Sequence, residues 1–287
     1  MDEMPARGAA NQRVHWVSMD LKPPITSKAN ARVKALRAAF SGSASSPGET
    51  LGIEGEHLVA EALRSRLHLE TVFVRAGSEE LLHRLSLSGL HPASISVLSR
   101  EVFDSAVDTN SPQGIAATLA IPELVLPNSR QRAGILLVVE ALQDPGNLGT
   151  LLRSAEAFGV DRVLLTPETV NPWNPKAVRA SAGSVFRVPV ERLPLPAIAE
   201  RLRGAKARLF AAVAQSSGAT PLMDAKLDMP CALLVGNEGA GLSLEALRLA
   251  DEKVNIPCAV ESLNAAIAGS TLMYEAMRQN LHVEDWR

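Results

Sequence analysis

Apolar residues are distributed along this chain in two textures. In the C-terminal half, short unbroken apolar runs recur: Ile135-Leu-Leu-Val-Val139, Arg162-Val-Leu-Leu165, Arg208–Val213, Cys231-Ala-Leu-Leu-Val235 and Lys253-Val-Asn-Ile-Pro257. Runs of this length, ended by glycine or polar residues, predict strands buried on both faces. Between them the spacing turns helical, at Thr150–Phe158 closed by Gly159, at Ala177–Ala182 and at Ala197–Arg203. The region Val185–Val190 continues the strand-like pattern, and a last helix is predicted from Ser262 to Asn280. Strand, helix and strand in this order form a βαβ unit and imply a parallel sheet.

The N-terminal half alternates on a smaller scale. Residues 1–24 lack periodicity, end in Pro23-Pro24 and read as a tail. Thr26 or Ser27 can cap a helix running from Lys28 to Phe40, with Val33, Leu36 and Phe40 at helical spacing. Strands are predicted at Thr50–Glu54, Glu70–Arg75 and Ser94–Leu98, helices at His57–Leu67 and Glu79–Leu87, and a further strand entered through the Pro112-Gln-Gly114 turn. The polar, proline-bearing stretch 121–132 connects this small α/β domain (25–120) to a second one (133–287).

Composition changes this picture only at the margins. With 287 residues, 46% of them hydrophobic and 21% charged, the chain is long enough for two cores. A formal net charge of −2 excludes a uniformly basic nucleic-acid binder and leaves room for a local patch. Residues 1–40 carry seven basic side chains against three acidic ones, which fits either an RNA contact or a solvated tail and helix face. The two cysteines, Cys231 and Cys258, stand in no metal-ligand spacing, and the six histidines do not cluster, so no metal is expected. With no apolar run of membrane-spanning length and no leader pattern, a cytoplasmic protein is expected.

Chemistry concentrates in three places. Asn147-Leu-Gly-Thr-Leu-Leu-Arg153 follows the first strand of the second domain, with a glycine that reads as loosening the loop and a helix start that offers N–H groups to an anion. Gly236-Asn-Glu-Gly-Ala-Gly-Leu242 follows another strand; its glycines let backbone approach a ligand closely. Ile256-Pro257 and Ser262-Leu-Asn264 follow a third, and Ser262 is of capping type. Neither glycine loop matches a P-loop or a dinucleotide fingerprint. The small residues Ala265, Ala266, Ala268, Gly269 and Ser270 require a close neighbour for the last helix.

In this order, Asn-x-Gly-x-x-x-Arg, Gly-Asn-Glu-Gly-x-Gly-Leu and Ile-Pro with Ser-Leu-Asn resemble the SpoU (TrmH) family of RNA ribose 2′-O-methyltransferases of the SPOUT class, over about Ile135 to Gln279. More loosely, Ile25-Thr-Ser, Gly52-Ile-Glu-Gly55 and Pro112-Gln-Gly-Ile115 resemble the L30e-like substrate-binding domain often joined to it. The resemblance implies an α/β fold with a SPOUT-type parallel sheet and a C-terminal trefoil knot, S-adenosylmethionine as methyl donor, and a homodimer. It implies cofactor contacts at Gly236, Ile256 and Leu263, and a reacting ribose surrounded by Asn147, Arg153, Glu238, Ser262 and Asn264. Arg153 is the family's candidate for assisting deprotonation of the 2′-hydroxyl. Because arginine stays protonated, holding a phosphate and stabilising the developing alkoxide suits it better. Structured RNA is the implied substrate, ribosomal RNA ahead of transfer RNA, and a non-catalytic RNA-binding or assembly protein is the alternative. The chain departs from the family in its short Cys258–Glu261 loop and in Ala265 and Ala266.

Overall fold

The computed structural model describes residues 21–87, 90–123, 134–215 and 218–280. Residues 1–20 of the expected tail and 124–132 of the expected connection lie outside them.

The first unit opens on α1 (Ala31–Ala39), capped by Asn30, whose side-chain oxygen accepts the Arg32 N–H at 2.9 Å. Asn30 takes the role expected of Thr26 or Ser27; Ser27 instead accepts the Ala29 N–H. Strands β1 (Thr50–Glu54), β2 (Leu69–Arg75), β3 (Ile95–Leu98) and β4 (Ile115–Ala120) form a sheet in the order β1-β4-β2-β3, parallel only between β2 and β3. Helices α2 (Glu56–Arg64) and α3 (Glu80–Arg84) are shorter than predicted. Helix α4 (Arg100–Asp104) was not predicted, since five residues are too few to show a period, although Val102 and Phe103 are buried.

The second unit runs β5 (Ile135–Val139), α5 (Pro145–Ala157), β6 (Val160–Leu165), α6 (Pro175–Ala180), β7 (Val190–Arg192), α7 (Leu195–Ala205), β8 (Arg208–Ala212), β9 (Thr220–Pro221), β10 (Cys231–Val235), α8 (Leu244–Leu249), β11 (Glu252–Asn255) and α9 (Ala265–Asn280). Its sheet has the order β7-β6-β5-β10-β8-β11-β9, and every pairing is parallel. The unbroken apolar runs now have their reason. Leu136, Val138 and Leu234 point to the layer that holds Ile198 and Leu202 of α7. Leu137, Val139 and Val235 point to the opposite layer, with Leu151 of α5 and Leu272 of α9. Both faces are dry, so alternation disappears.

Three boundaries moved. The expected Val185–Val190 strand is instead a 3₁₀ turn, Ser184–Phe186, that drives Val185 and Phe186 into the core before β7 begins at Val190. Helix α5 starts at Pro145 rather than Thr150, because Asp144 caps it and proline occupies its first position. Helix α9 starts at Ala265 rather than Ser262. Gly149 therefore sits inside a helix, and it does not loosen a loop. A Cβ there would stand 2.6 Å from the Ala180 Cβ and 2.9 Å from the Ser181 nitrogen, so α5 and α6 touch backbone to backbone.

The two units are pinned together by polar ties. Arg187 pairs with Glu156 of α5, with Glu61 of α2 at 2.9 Å and with the Ser65 hydroxyl at 2.8 Å. Asn171 donates to the Ala44 carbonyl at 2.6 Å. Glu61 is nearly buried, so its charge is balanced where water is excluded.

Alanine is the better helix former, yet Gly149→Ala should destabilise the protein by about 1–3 kcal/mol through overpacking of α5 against α6. Urea unfolding measures this, and an equally or more stable variant would show that the contact is slack.

Candidate functional site

Because all strands of the second sheet point the same way, their carboxyl ends lie along one edge. β5 and β10 are neighbours, with Val139 opposite Val235, so the segments after them leave the sheet side by side. The segment after β8 flanks the second of these, and the segment after β11 follows one strand further on. A cavity of about 370 Å³ opens there, within the range of small-molecule sites. Its walls are Val213 and Gln215 after β8, Gly236–Leu242 after β10, Ile256 after β11, and Leu263, Ala265 and Ala268 at the start of α9.

The glycine loop is shaped by sterics first. A Cβ on Gly236 would stand 2.6 Å from the Gly241 carbonyl group, so no side chain fits there. Asn237 and Gly241 exchange both backbone hydrogen bonds at 3.0 Å, and Gly241 takes a φ of +69°. The Asn237 carbonyl oxygen of the side chain accepts the N–H groups of Gly239 and Ala240, each at 2.9 Å. Those donors are consumed within the loop, so it is no phosphate cradle. Nothing stands within 4 Å of a Cβ position on Gly241, which leaves an open face toward the cavity.

Three of the predicted site residues, far apart in sequence, form one hydrogen-bonded chain. Asn264 donates its amide to the Asn147 side-chain oxygen at 3.0 Å, and Asn147 donates its own amide to Glu238 at 3.0 Å. Glu238 also accepts the backbone N–H of Asp144 at 3.2 Å and of Gln143 at 3.4 Å. Partial burial pushes the Glu238 carboxyl up, but the Asn147 amide and these N–H groups outweigh it and hold it below the usual carboxylate range. Asn264, not Ser262, caps α9, accepting from Ala266 at 2.9 Å and Ile267 at 3.2 Å. Its reach to Asn147 thus ties the starts of α5 and α9 together.

The other predicted residues fall around this chain. Gly236, Ile256 and Leu263 all line the cavity, as do Glu238 and Ser262. Ser262 is exposed at its mouth. Arg153 is exposed on α5 and makes no hydrogen bond or ion pair among the described residues. It lies six residues beyond Asn147, about 120° around the helix, so it is not part of the Asn147–Glu238 group. The start of α5 is also no open anion site, because Asp144 already accepts the Asn147 N–H at 2.8 Å.

Two contributors escaped the sequence reading. Asp144 caps α5 and presents its own N–H to Glu238; Asp-Pro before a helical pattern was the available signal. Glu140, at the end of β5 and nearly buried, accepts the hydroxyl and N–H of Ser243 at 2.6 and 3.0 Å, and Ser243 in turn caps α8. A lone acidic residue after an apolar run gives no such hint. Burial pushes the Cys231 thiol up to about 12, with Asp228 adding to it, which removes it as a nucleophile. Among the described residues no group of three or more His, Cys, Asp or Glu side chains could hold a metal, and no helix is long and apolar enough to cross a membrane.

A parallel α/β sheet with a cavity, a closed glycine loop and a carboxamide–carboxylate chain at its strand ends belongs to the class of open α/β proteins that bind a ligand at the carboxyl edge of the sheet. Residues 134–274 match the SpoU rRNA Methylase family, and residues 30–117 match the MRM3-like substrate binding domain. The chain is 34% identical over 252 residues to the 23S rRNA (guanosine(2553)-2′-O)-methyltransferase RlmP of Bacillus subtilis, covering 87% of this chain and 97% of that protein. It is 37% identical over 263 residues to an uncharacterized tRNA/rRNA methyltransferase of Synechocystis, covering 89% and 93%. The AdoMet-bound rRNA methyltransferase of Sinorhizobium meliloti superimposes with a TM-score of 0.76 at 27% identity, covering 91% and 99%. This chain belongs to the SpoU methylase family.

A carboxyl held below its ordinary pKa stabilises the fold above the ordinary range and loses that contribution as pH falls through the lowered value. The stability advantage of the wild type over Glu238→Gln should therefore be flat from about pH 8 to about pH 6 and vanish in acid. Urea titrations across pH test it; an advantage growing in acid would contradict the tie.

Proposed function

We propose that this protein transfers the methyl group of S-adenosylmethionine to a ribose 2′-oxygen of ribosomal RNA, within 23S rRNA. The observation that carries the reading is the Asn264–Asn147–Glu238 chain standing at the rim of the cavity that Gly236, Ile256 and Leu263 line. The cavity fits the cofactor through its backbone-lined glycine edge and its apolar wall at Val213, Ile256 and Leu263. When bound, the cofactor supplies a methyl group on a positively charged sulfur, whose transfer cancels that charge.

What remains for the chain is to place the acceptor oxygen in line while its proton passes to water. Glu238 is held as a carboxylate by the Asn147 amide and two backbone N–H groups, so it orients Asn147 and does not store a proton near neutrality. Asn147 and Asn264 present carboxamides to the ribose, and Ser262 is exposed at the cavity mouth. Arg153, always charged and without a hydrogen bond or ion pair among the described residues, stands apart from the Asn147–Glu238 group on α5 and holds a phosphate of the RNA strand. The sheet of residues 50–120 grips the RNA, in keeping with its match to a substrate-binding domain. A structured or looped RNA offers the shape and unstacked bases such a unit reads.

The relatives named for 23S rRNA support the substrate, and the bacterial setting of RlmP supports a cytoplasmic reaction. Support for a knotted C-terminus comes from β10 lying between β5 and β8 while α9 packs back on α5 and β10. A homodimer is supported by the face of α9, where Ile267 and Tyr274, one heptad apart, are about half exposed and Tyr274 packs edge-on against Phe158 at the end of α5.

Labelled methyl should pass from S-adenosylmethionine to unmodified 23S rRNA, and Arg153→Ala should abolish transfer while sparing cofactor binding in a titration. Label in transfer RNA alone would move the substrate, and absence of cofactor binding would leave an RNA-binding protein. For the assembly, light scattering at micromolar concentration should give the mass of two chains; the mass of one would overturn the dimer.

A further inference from the structure

We infer that the face of α6 bearing Lys176 and Arg179 is a phosphate-binding surface for the RNA strand, with Lys176 seating a phosphate beside the target ribose. The inference rests on the function proposed above and extends it to residues outside the three sequence motifs.

Lys176 and Arg179 are three residues apart on α6 and so share a face. At one end of it, the Lys176 ammonium lies 3.1 Å from Asp144, the residue that caps α5 and donates its N–H to Glu238. The Lys176 Cε stands 3.7 Å from a Cβ position on Gly146, so the side chain lies against the backbone just before Asn147. At the other end, Arg179 pairs at 3.2 Å with Asp108, in the segment leading to Gln113, whose N–H is held by Glu54 at 2.6 Å. One helical face thus spans from Asp144, beside the Asn147–Glu238 group, to Asp108 of the first unit. The face therefore lies between the proposed reaction site and the unit proposed to grip the RNA.

Charge points the same way. Asp144 and Glu238 put two carboxylates at the reaction site, and a phosphodiester brought there needs a cation. Among the described residues, Lys176 is the cation bonded to that group. Both existing pairs are open to water, with Asp144 and Asp108 about half exposed, and pairs of this kind hold weakly. A phosphate, which accepts from ammonium and guanidinium strongly, can replace the carboxylates without breaking anything buried.

The test is binding of the full chain to in vitro transcribed 23S rRNA across a salt series. Lys176→Ala and Arg179→Ala should each raise the RNA Kd on the order of tenfold and lower the salt slope by about one, leaving the S-adenosylmethionine Kd unchanged; Lys176→Arg should restore binding. Asp108→Asn separates a phosphate surface from a mere strut between the units. It frees Arg179, so RNA binding should stay equal or tighten, whereas a loss matching Arg179→Ala would overturn the inference. Unchanged Kd and slope in both cation variants would overturn it as well. Methyl transfer by the wild type alongside unaltered variant binding would sink this surface and keep the proposed reaction. Binding lost in the variants of a chain that transfers no methyl would do the reverse.

Discussion

The parallel ladder between β5 and β10 is the contact on which everything else depends. It sets Val139 against Val235, and so delivers residues 140–147 and 236–243 to the same edge at the same height. From there, short polar links suffice. Glu140 reaches Ser243, Asn237 reaches the Ala141 carbonyl at 2.8 Å, and Glu238 gathers Gln143, Asp144 and Asn147. In a sheet with these two strands apart, the same residues would be unrelated. The non-sequential strand order is what creates the crevice, as in other open parallel sheets.

Close helix packing converts that edge into a rigid site. Helix α9 can lie on α5 because Gly269 has no Cβ to strike Leu151, and because Ser154 and Ser270 meet hydroxyl to hydroxyl at 2.6 Å. Helix α5 can lie on α6 because of Gly149. Three helix starts, at Asp144, Asn174 and Asn264, are thereby drawn toward one side of the sheet, each capped by its own short polar side chain. Glycine and alanine at these positions serve proximity: the distance between helices, and hence between Asn147 and Asn264, is fixed by what those side chains lack.

Ala141 shows that this arrangement carries some strain. It adopts a φ of +52°, unusual for a residue with a Cβ, and is held from both sides, its N–H on the Thr166 hydroxyl and its carbonyl on Asn237 and Gln143. That turn aims the N–H groups of Gln143 and Asp144 at Glu238. A carboxylate fixed by three donors is an orienting group, and its lowered pKa is a result of the same geometry.

Much of this was legible in the chain itself. Unbroken apolar runs separated by helical spacing are enough to specify a parallel sheet, because only strands covered on both faces need be apolar at every position. The glycine loop, Asn147 and Asn264 announced a site by residue type and order. Helix starts were read less well: Asn30 for Ser27, Asp144 for Thr150 and Asn264 for Ser262, since several adjacent polar residues can cap and only the three-dimensional neighbours select one. The same limit hid Glu140, whose partner is 103 residues away. What the tertiary structure alone decided is which strand ends adjoin, where Arg153 faces, and that Lys176 lies against the loop before Asn147. Local sequence governs backbone preference and burial period; the meeting of distant side chains depends on strand order and helix spacing, which no local pattern encodes.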